Sequence, residues 1–266
     1  MAKKLMKIKN KIVLVTGGAN GIGKGLCERF HAEGAKKIIV TDIDEVNANA
    51  VAKQVDGVAY KLNVANESEV QTVVADVLDK FGRIDVVISN AGIGGDEGCL
   101  EVSNESWQNI WEINVLSHLS LSRAVFPNML ERGDGYFLIT ASAAGLLTYP
   151  TAAPYSVTKH AAVSFAEYLA YSYVDKGIKV SCLCPQGVKT NLIATKDGEP
   201  ENFLMAEAIT VEECAEAVIQ AMESEHFLIL PHKEVGEFVI KKVSNYDKWL
   251  SWMSGLRNKI LAESGK

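Results

Sequence analysis

The sequence predicts an α/β protein of the doubly wound type, with a seven-stranded parallel sheet covered by helices on both faces. Short β-branched runs alternate with longer segments of helical period along most of the chain. The strand-like runs are almost wholly apolar, which is expected when helices cover both faces of a sheet. The chain has 266 residues, enough for one large core, so we predict a single domain over residues 1–266.

The predicted elements alternate strictly. The strands cover residues 11–16, 37–41, 58–62, 84–89, 136–140, 179–183 and 227–230. The helices cover residues 21–33, 45–54, 67–81, 107–130, 155–174 and 211–222. Beyond this pattern we predict a substrate loop over residues 191–209 and a C-terminal helical extension over residues 234–266.

Composition and charge exclude several classes of function. The formal net charge is -6, so we expect no extended basic face for nucleic acid. No apolar run approaches the roughly 18 residues that a membrane span needs, and the basic N-terminal segment lacks the apolar core of a secretory signal. Five irregularly spaced cysteines favour free thiols in the cytoplasm over a disulfide framework, and we expect no metal site.

A glycine-rich turn, TGGANGIG, joins the first predicted strand to the first predicted helix at residues 16–23. Glycine lets the backbone turn tightly and approach a pyrophosphate, and the helix N-terminus then directs free N–H groups at the phosphates. Its place between strand and helix favours a dinucleotide site over a turn without a ligand. The turn predicts cofactor contacts by Gly17, Asn20, Gly21, Ile22 and Gly23.

Asp42 ends the second predicted strand, about 20 residues after the glycines. A carboxylate at this place accepts hydrogen bonds from the adenosine ribose hydroxyls and repels a 2′-phosphate. No Arg or Lys lies within residues 16–23 to bind such a phosphate. Asp42 therefore predicts NAD rather than NADP as the cofactor, the alternative being a residue that only caps the next helix.

Tyr155 and Lys159 are spaced i, i+4 on a predicted helix, so their side chains share one face. A nearby ammonium favours the phenolate and lowers the pKa of a tyrosine from about 10. The pair predicts proton exchange between Tyr155 and a substrate hydroxyl near neutral pH. Ser142 ends the fifth predicted strand, where its hydroxyl can bond the substrate oxygen. Taken singly, each of these residues also fits an ordinary structural role.

Together and in this order, the motifs resemble those of the compact, single-domain branch of the short-chain dehydrogenase/reductase family. The resemblance covers roughly residues 11–230 and rests on TGGANGIG at 16–23, SNAG at 89–92, Asn114, Ser142, and YSVTK at 155–159. It implies a Rossmann-type fold and a catalytic tetrad. In that tetrad Tyr155 is the acid/base and Ser142 positions the substrate oxygen. Lys159 lowers the tyrosine pKa and holds the nicotinamide ribose, while Asn114 holds a water that relays protons.

The resemblance also implies the remaining cofactor contacts, which are Asn63, Val64, Asn90, Ala91, Gly92, Tyr155, Lys159, Pro185, Val188 and Thr190. Three positions depart from the usual pattern. Asn63 stands where the family usually has Asp, and Ser89 where it usually has Asn. The usual Pro-Gly pair after the sixth strand is Pro185-Gln186-Gly187 here, so we expect a differently shaped loop beside the nicotinamide.

Apolar residues around the predicted site favour an apolar or amphipathic substrate. They are Leu146, Leu147 and Tyr149 before the catalytic helix, and Leu192, Ile193, Phe203, Leu204 and Met205 in the substrate loop, where Gly198 and Pro200 allow movement. In the extension, a helical stripe runs through Val239, Val243, Tyr246, Leu250, Met253, Leu256 and Ile260. That stripe fits packing against a second subunit, a lid over the substrate, or a peripheral membrane contact.

The sequence thus predicts an NAD(H)-dependent oxidoreductase that interconverts a secondary alcohol and a ketone as a small-molecule substrate. The alternatives are a 3-oxoacyl carrier-protein reductase and a non-catalytic NAD-binding scaffold. By resemblance we expect a homodimer or homotetramer assembled through the two long helices at residues 107–130 and 155–174.

Overall fold

The strand order reverses at the centre of the sheet. A computed structural model describes residues 6–193 and 204–263. Its strands are β1 (Ile12–Thr16), β2 (Lys37–Asp42), β3 (Val58–Lys61), β4 (Val86–Ser89), β5 (Gly135–Thr140), β6 (Ile178–Leu183) and β7 (Leu228–Ile229). They form one sheet in the order β3-β2-β1-β4-β5-β6-β7, and every neighbouring pair is parallel. The predicted seven-stranded parallel sheet is confirmed, and its switch point between β1 and β4 is where ligands of such sheets bind.

The helices lie on both faces of the sheet. They are α1 (Gly21–Ala32), α2 (Glu45–Gln54), α3 (Glu67–Phe81), α4 (Asn104–Trp111), α5 (Ser117–Arg132), α6 (Ala144–Leu147), α7 (Ala153–Tyr173), α8 (Val211–Ser224), α9 (Glu234–Ser244) and α10 (Tyr246–Glu263). A π-helix (Glu112–Leu116) joins α4 to α5, and a 3₁₀ turn (Val174–Lys176) follows α7. No helix in the described part of the chain is long and apolar enough to cross a bilayer.

Both faces of the sheet are buried in apolar cores. Val13 and Val15 of β1 pack in one core with residues of α1, α2 and α8, while Ile12 and Leu14 pack in the other with residues of α3, α5 and α7. Each fully buried aliphatic side chain contributes about 1.5–3 kcal/mol. If a strand shifted its register by one residue, each of its side chains would move to the opposite face of the sheet. The packing of both cores therefore fixes the register of the strands, and with it the positions of the residues at their carboxyl ends.

The structure adds detail to two expectations about helices. The helix predicted over residues 107–130 is α4, the π-helix and α5 in continuous succession, and α6 was not predicted. In the C-terminal extension, Asn245 separates α9 from α10, and Val243, Tyr246 and Leu250 of the predicted stripe are exposed. The break at Asn245 interrupts the helical periodicity. Residues of the predicted stripe that lie before and after it therefore do not share one helix face. Gly198, Pro200 and Phe203 of the predicted substrate loop lie outside the described residues.

Candidate active site

Two cavities meet at the carboxyl edge of the sheet. The larger has a volume of about 520 Å³ and extends from the end of β2, past β1 and β4, to α7. The smaller has a volume of about 270 Å³ and lies between the segment after β5, the start of α7 and the C-terminal helices. Among the described residues, five line both cavities: Ser142, Tyr155, Gln186, Leu192 and Ile193. The predicted catalytic serine and tyrosine therefore lie at the junction.

The turn between β1 and α1 brings backbone N–H groups to the larger cavity. A Cβ atom on Gly23 would lie 2.0 Å from the carbonyl oxygen of Gly17, so only glycine lets α1 pack on the turn. The side chain of Asn20, which precedes α1, makes no hydrogen bond to the first helical turn. The free N–H groups and the helix dipole at this end suit an anionic ligand.

The predicted cofactor residues largely share this cavity. Those that line it are Gly17, Asn20, Gly21, Ile22, Asp42, Asn63, Val64, Asn90, Ala91, Gly92, Tyr155, Lys159, Pro185, Val188 and Thr190. Gly23 does not line the cavity; its backbone packs closely against the carbonyl oxygen of Gly17 in the turn. The structure thus brings together predicted cofactor residues from the ends of five strands, β1, β2, β3, β4 and β6, with two from α7, as the parallel order of the sheet requires.

Asp42 is buried at the end of β2 and faces the larger cavity. Its Oδ2 accepts a hydrogen bond from the Ala19 N–H and its Oδ1 accepts one from the Asp44 N–H, each at 3.0 Å. These bonds fix the carboxylate, and each oxygen keeps a lone pair for a ribose hydroxyl. Among the described lining residues, Lys159 is the only Lys or Arg, and it lies beside Tyr155 at the other end of the cavity.

Asn90 and Asn63 differ in how firmly they are held. The Nδ2 of Asn90 donates to the carbonyl oxygens of Thr16 (3.1 Å) and Gly17 (3.3 Å), which ties β4 to the glycine turn. Asn63 is exposed, and its Oδ1 accepts a hydrogen bond from the Ala65 N–H at 3.1 Å. The amide oxygen of Asn63 is thus already used once and keeps one lone pair for a ligand.

Asn114 is buried in the π-helix between α4 and α5. Its Oδ1 accepts from the Ile93 N–H, and its Nδ2 donates to the Ile93 carbonyl oxygen, both at 2.9 Å. A Cβ atom on Gly92 would lie 3.1 Å from this Oδ1 and 3.3 Å from Lys159 Nζ, so both polar groups face Gly92. The wider π turn, a feature frequent at functional sites, places Asn114 next to the lysine.

Burial dominates the proton affinity of Tyr155. It raises the pKa of Tyr155 above its usual value, and a hydrogen bond with the Ser142 hydroxyl opposes that shift. The Nζ of Lys159 lies 5.7 Å from the centre of the Tyr155 ring. In the protein alone, removal of the phenolate from water is the largest influence on the Tyr155 pKa. The expected lowering of that pKa by Lys159 stays a prediction.

Lys159 is itself buried, and its ammonium has a backbone partner. Its Nζ donates to the carbonyl oxygen of Thr140 at 3.1 Å, at the end of β5. Burial lowers the pKa of Lys159 to about 8, and the nearby Cys182 and Cys184 thiols oppose that shift. A lysine in this state exchanges protons near neutral pH, which suits a relay behind Tyr155.

The smaller cavity has mainly apolar walls, and the C-terminal helices supply one of them. Of the predicted pocket residues, Leu147, Tyr149, Leu192, Ile193 and Leu204 line it. Leu146 instead packs against the core, and its carbonyl oxygen accepts a hydrogen bond from Lys242 Nζ at 2.6 Å, which ties α9 to α6. The opposite wall contains Phe238, Trp249, Trp252, Met253 and Leu256.

Sequence reasoning missed three features of the site. It left a lid over the substrate open as one role of the C-terminal extension but did not name the aromatic residues Phe238, Trp249 and Trp252 as part of it, although Trp249 and Trp252 have helical spacing. It also missed Gln186 as a residue of both cavities. Finally, Ser89, one of the departures noted above, pairs with the buried His118: Ser89 Oγ lies 2.6 Å from His118 Nδ1. Burial lowers the pKa of His118 to about 3, so the ring is neutral.

A family model described as short chain dehydrogenase matches residues 11–201. The chain belongs to this family. The match includes the glycine turn and all four residues of the candidate tetrad. It ends before α8 to α10, so the aromatic wall of the smaller cavity lies outside the matched segment.

Individual short-chain dehydrogenases resemble the chain over most of its length. A 3-oxoacyl-[acyl-carrier-protein] reductase from a Synechocystis species is 32% identical over 195 residues, which cover 71% of this chain and 79% of the relative. The oxidoreductase UcpA of Salmonella typhimurium is 31% identical over 223 residues, covering 79% of this chain and 84% of the relative.

Solved structures confirm the fold. A short-chain dehydrogenase/reductase from Burkholderia phymatum in complex with NAD superposes with a TM-score of 0.81 at 23% identity, covering 90% of this chain and 96% of that one. A 3-ketoacyl-(acyl-carrier-protein) reductase from Brucella melitensis complexed with NADH gives a TM-score of 0.76 at 27% identity, covering 84% and 96%. The chain is an oxidoreductase of the short-chain dehydrogenase type.

Proposed function

We propose that the protein transfers hydride between NAD(H) and a secondary alcohol or its ketone, with Tyr155 as the acid/base. The observation that carries this proposal is the junction of the two cavities. Ser142 and Tyr155 line both of them, so their hydroxyls face the place where a cofactor in the larger cavity meets a substrate in the smaller one. Such convergence brings two reactants together in a fixed orientation.

The larger cavity suits NAD. The Gly17 turn and the first N–H groups of α1 fit the pyrophosphate, and Asp42 fits the adenosine ribose hydroxyls while opposing a 2′-phosphate. The absence of Lys and Arg from the described lining near Asp42 supports the same choice. NAD⁺, when bound, supplies the hydride acceptor, and the protein supplies orientation and electrostatics.

Each residue of the tetrad has a role that its geometry supports. The Ser142 hydroxyl bonds the substrate oxygen and orients Tyr155, to which it is already hydrogen-bonded. Tyr155 takes a proton from an alcohol or gives one to a ketone. Lys159, buried beside the ring, stabilises the Tyr155 phenolate as an ammonium. After Tyr155 has taken a proton from an alcohol, that proton leaves for solvent through bound water and a Lys159 amine that has released its own proton. Asn114 faces Lys159 across Gly92 and holds that water.

The walls of the smaller cavity favour an apolar or amphipathic substrate. The rings of Trp249 and Trp252 lie 4.9 Å apart, and Phe238 lies 6.1 Å from Trp252 and 6.4 Å from Trp249. Together with Tyr149, which lies 6.2 Å from Tyr155, they give the cavity aromatic walls. We therefore propose that the C-terminal helices act as a wall of the substrate site, the lid among the three expectations above.

A 3-oxoacyl carrier-protein reductase is the second candidate, because several similar relatives bear that name. Such a substrate would also place an apolar acyl chain against the aromatic wall. A direct comparison of NADH oxidation with an acetoacetyl thioester and with an aryl ketone separates the two candidates.

The change Tyr155→Phe tests the proposed chemistry. It removes one hydroxyl and keeps the ring, so we expect turnover to fall by about 10²- to 10⁴-fold while NADH binding, measured by fluorescence titration, stays the same. Tyr168→Phe, an exposed tyrosine on the same helix, is the matched control and should keep wild-type rates. Near-wild-type turnover by the Tyr155 variant would reject the assignment, and a wild-type protein that binds NAD without turning over any alcohol or ketone would favour the scaffold alternative.

A further inference from the structure

Gln186 lies beside the reacting centre, directly after β6. The carbonyl oxygen of the preceding Pro185 accepts a hydrogen bond from the Ala143 N–H at 2.8 Å, and Ser142 Oγ lies 3.5 Å from the same oxygen. The backbone at Gln186 is thus tied to the segment that carries the candidate catalytic serine. Its side chain lines both cavities, where Ser142 and Tyr155 also lie.

Neighbouring groups hold this glutamine in place. The backbone N–H of Gln186 donates a hydrogen bond to Nδ1 of the buried His232 at 3.2 Å. The next residue must be glycine, because a Cβ atom on Gly187 would lie 2.5 Å from the carbonyl oxygen of Leu204. The departure from the usual Pro-Gly pair therefore moves the glycine one place along and puts a polar side chain at the junction of the cavities.

The amide oxygen of Gln186 lacks a partner. Its Oε1 is buried and accepts no hydrogen bond from any residue in the described parts of the chain. Burying a carbonyl oxygen without a donor destabilises a protein. The oxygen is not itself exposed at the cavity wall, but Gln186 lines both cavities, so a rotation of its side-chain amide would bring the oxygen to a donor of a bound ligand. An amide oxygen carries no net charge, and a neutral N–H or O–H group is therefore its natural partner.

We propose that Gln186 is a positioning residue that accepts a hydrogen bond from a neutral N–H or O–H donor of a bound ligand at the junction of the two cavities. Two ligands carry such a donor: the carboxamide of a nicotinamide, and a substrate with a hydroxyl on the carbon next to the reacting one. The location of the reacting centre depends on the proposed function. The observation that Gln186 Oε1 has no hydrogen-bond partner does not depend on it.

Two binding measurements on the full-length protein test this proposal. The first is the dissociation constant of NADH, measured by fluorescence titration. The second compares acetophenone with 2-hydroxyacetophenone binding to the NAD⁺ complex, in which a ketone cannot be reduced, by calorimetry. Both are made on wild type, Gln186→Met, which keeps the length of the side chain, and Gln186→Gly, which restores the usual family residue. Gln220→Met, an exposed position on α8, is the matched control.

We expect both Gln186 variants to weaken one contact by about tenfold. If the donor is the carboxamide, NADH affinity falls and both ketones bind as in wild type. If the donor is the substrate hydroxyl, NADH affinity stays the same and the preference for 2-hydroxyacetophenone disappears. Wild-type behaviour of both variants in both measurements overturns the proposal, and so does an effect of the methionine variant alone, which would report steric contact. Because neither measurement needs turnover, failure of the proposed reaction would be seen separately, in the Tyr155 experiment.

Discussion

Lys159 shows how a single buried residue serves function at a cost to stability. Burial lowers its pKa from 10.5 to about 8, a shift that corresponds to about 3 kcal/mol. Below pH 8 the lysine is protonated in both the folded and the unfolded chain, so the full cost is present. Between about pH 8 and 10.5 the unfolded chain binds more protons, and the stability of the folded protein rises with pH.

We therefore expect Lys159→Met to be inactive yet more stable than wild type at pH 7, by up to about 3 kcal/mol. Urea unfolding at pH 7 and pH 10 measures this, and the difference between the two proteins should shrink at the higher pH. Lys189→Met, at an exposed position, should show no such trend. A variant less stable than wild type at pH 7 would mean that the hydrogen bond to Thr140 outweighs burial of the charge.

Asp42 makes a second prediction at the residue scale. Asp42→Asn removes the charge that opposes a 2′-phosphate, so we expect the ratio of kcat/KM for NADP⁺ to that for NAD⁺ to rise by about tenfold. The variant also loses one of two acceptors for backbone N–H groups, at a cost of about 1 kcal/mol, which thermal unfolding would detect. Asp44→Asn, outside the cavity, should leave cofactor choice unchanged. An unchanged ratio in the Asp42 variant would remove this residue as the determinant of cofactor choice.

At the scale of elements, the C-terminal helices make one prediction. Trp252 is 49% exposed and packs on Trp249 at the smaller cavity. Trp252→Ala should raise KM for an aryl secondary alcohol such as 1-phenylethanol by about fivefold, and KM for 2-butanol much less, because only the aryl group contacts the removed ring. Leu250→Ala, exposed on the same helix and outside both cavities, is the control. Equal effects on both alcohols would show that the ring supports the fold rather than the substrate.

The long helices show what periodicity cannot reveal. The apolar pattern over residues 107–130 predicts a helix, and α4 to α5 confirm it. The π-helix adds one residue to a turn, which barely changes that pattern yet sets the direction of Asn114. Likewise, no Gly or Pro near Asn245 indicates in the sequence that the helix ends there. Strand ends were predictable because the carboxyl ends of parallel strands lie at one edge of the sheet, whereas the position of α10 at the smaller cavity depends on tertiary packing alone.

For the whole molecule, the outer face of α7 predicts self-association. Val157, Tyr168 and Tyr171 are all exposed there, and Tyr171 is exposed by 68%. We expect a homodimer or homotetramer of the 28.9 kDa chain, assembled through α5 and α7. Light scattering after gel filtration should show this assembly, and Tyr168→Glu with Tyr171→Glu should shift it toward monomer by burying charge at the interface. A monomeric wild-type protein at micromolar concentration would contradict the prediction.

The account as a whole rests on hydride transfer at the junction of the two cavities, with NAD as the cofactor. The most direct test follows NADH formation by the purified protein with apolar secondary alcohols, including aryl alcohols and steroids, with NADP⁺ in parallel. The account predicts NADH formation with a subset of these alcohols, slower turnover with NADP⁺, and loss of activity in Tyr155→Phe. Faster turnover with NADP⁺, or no turnover by a protein that binds NAD tightly, would contradict it.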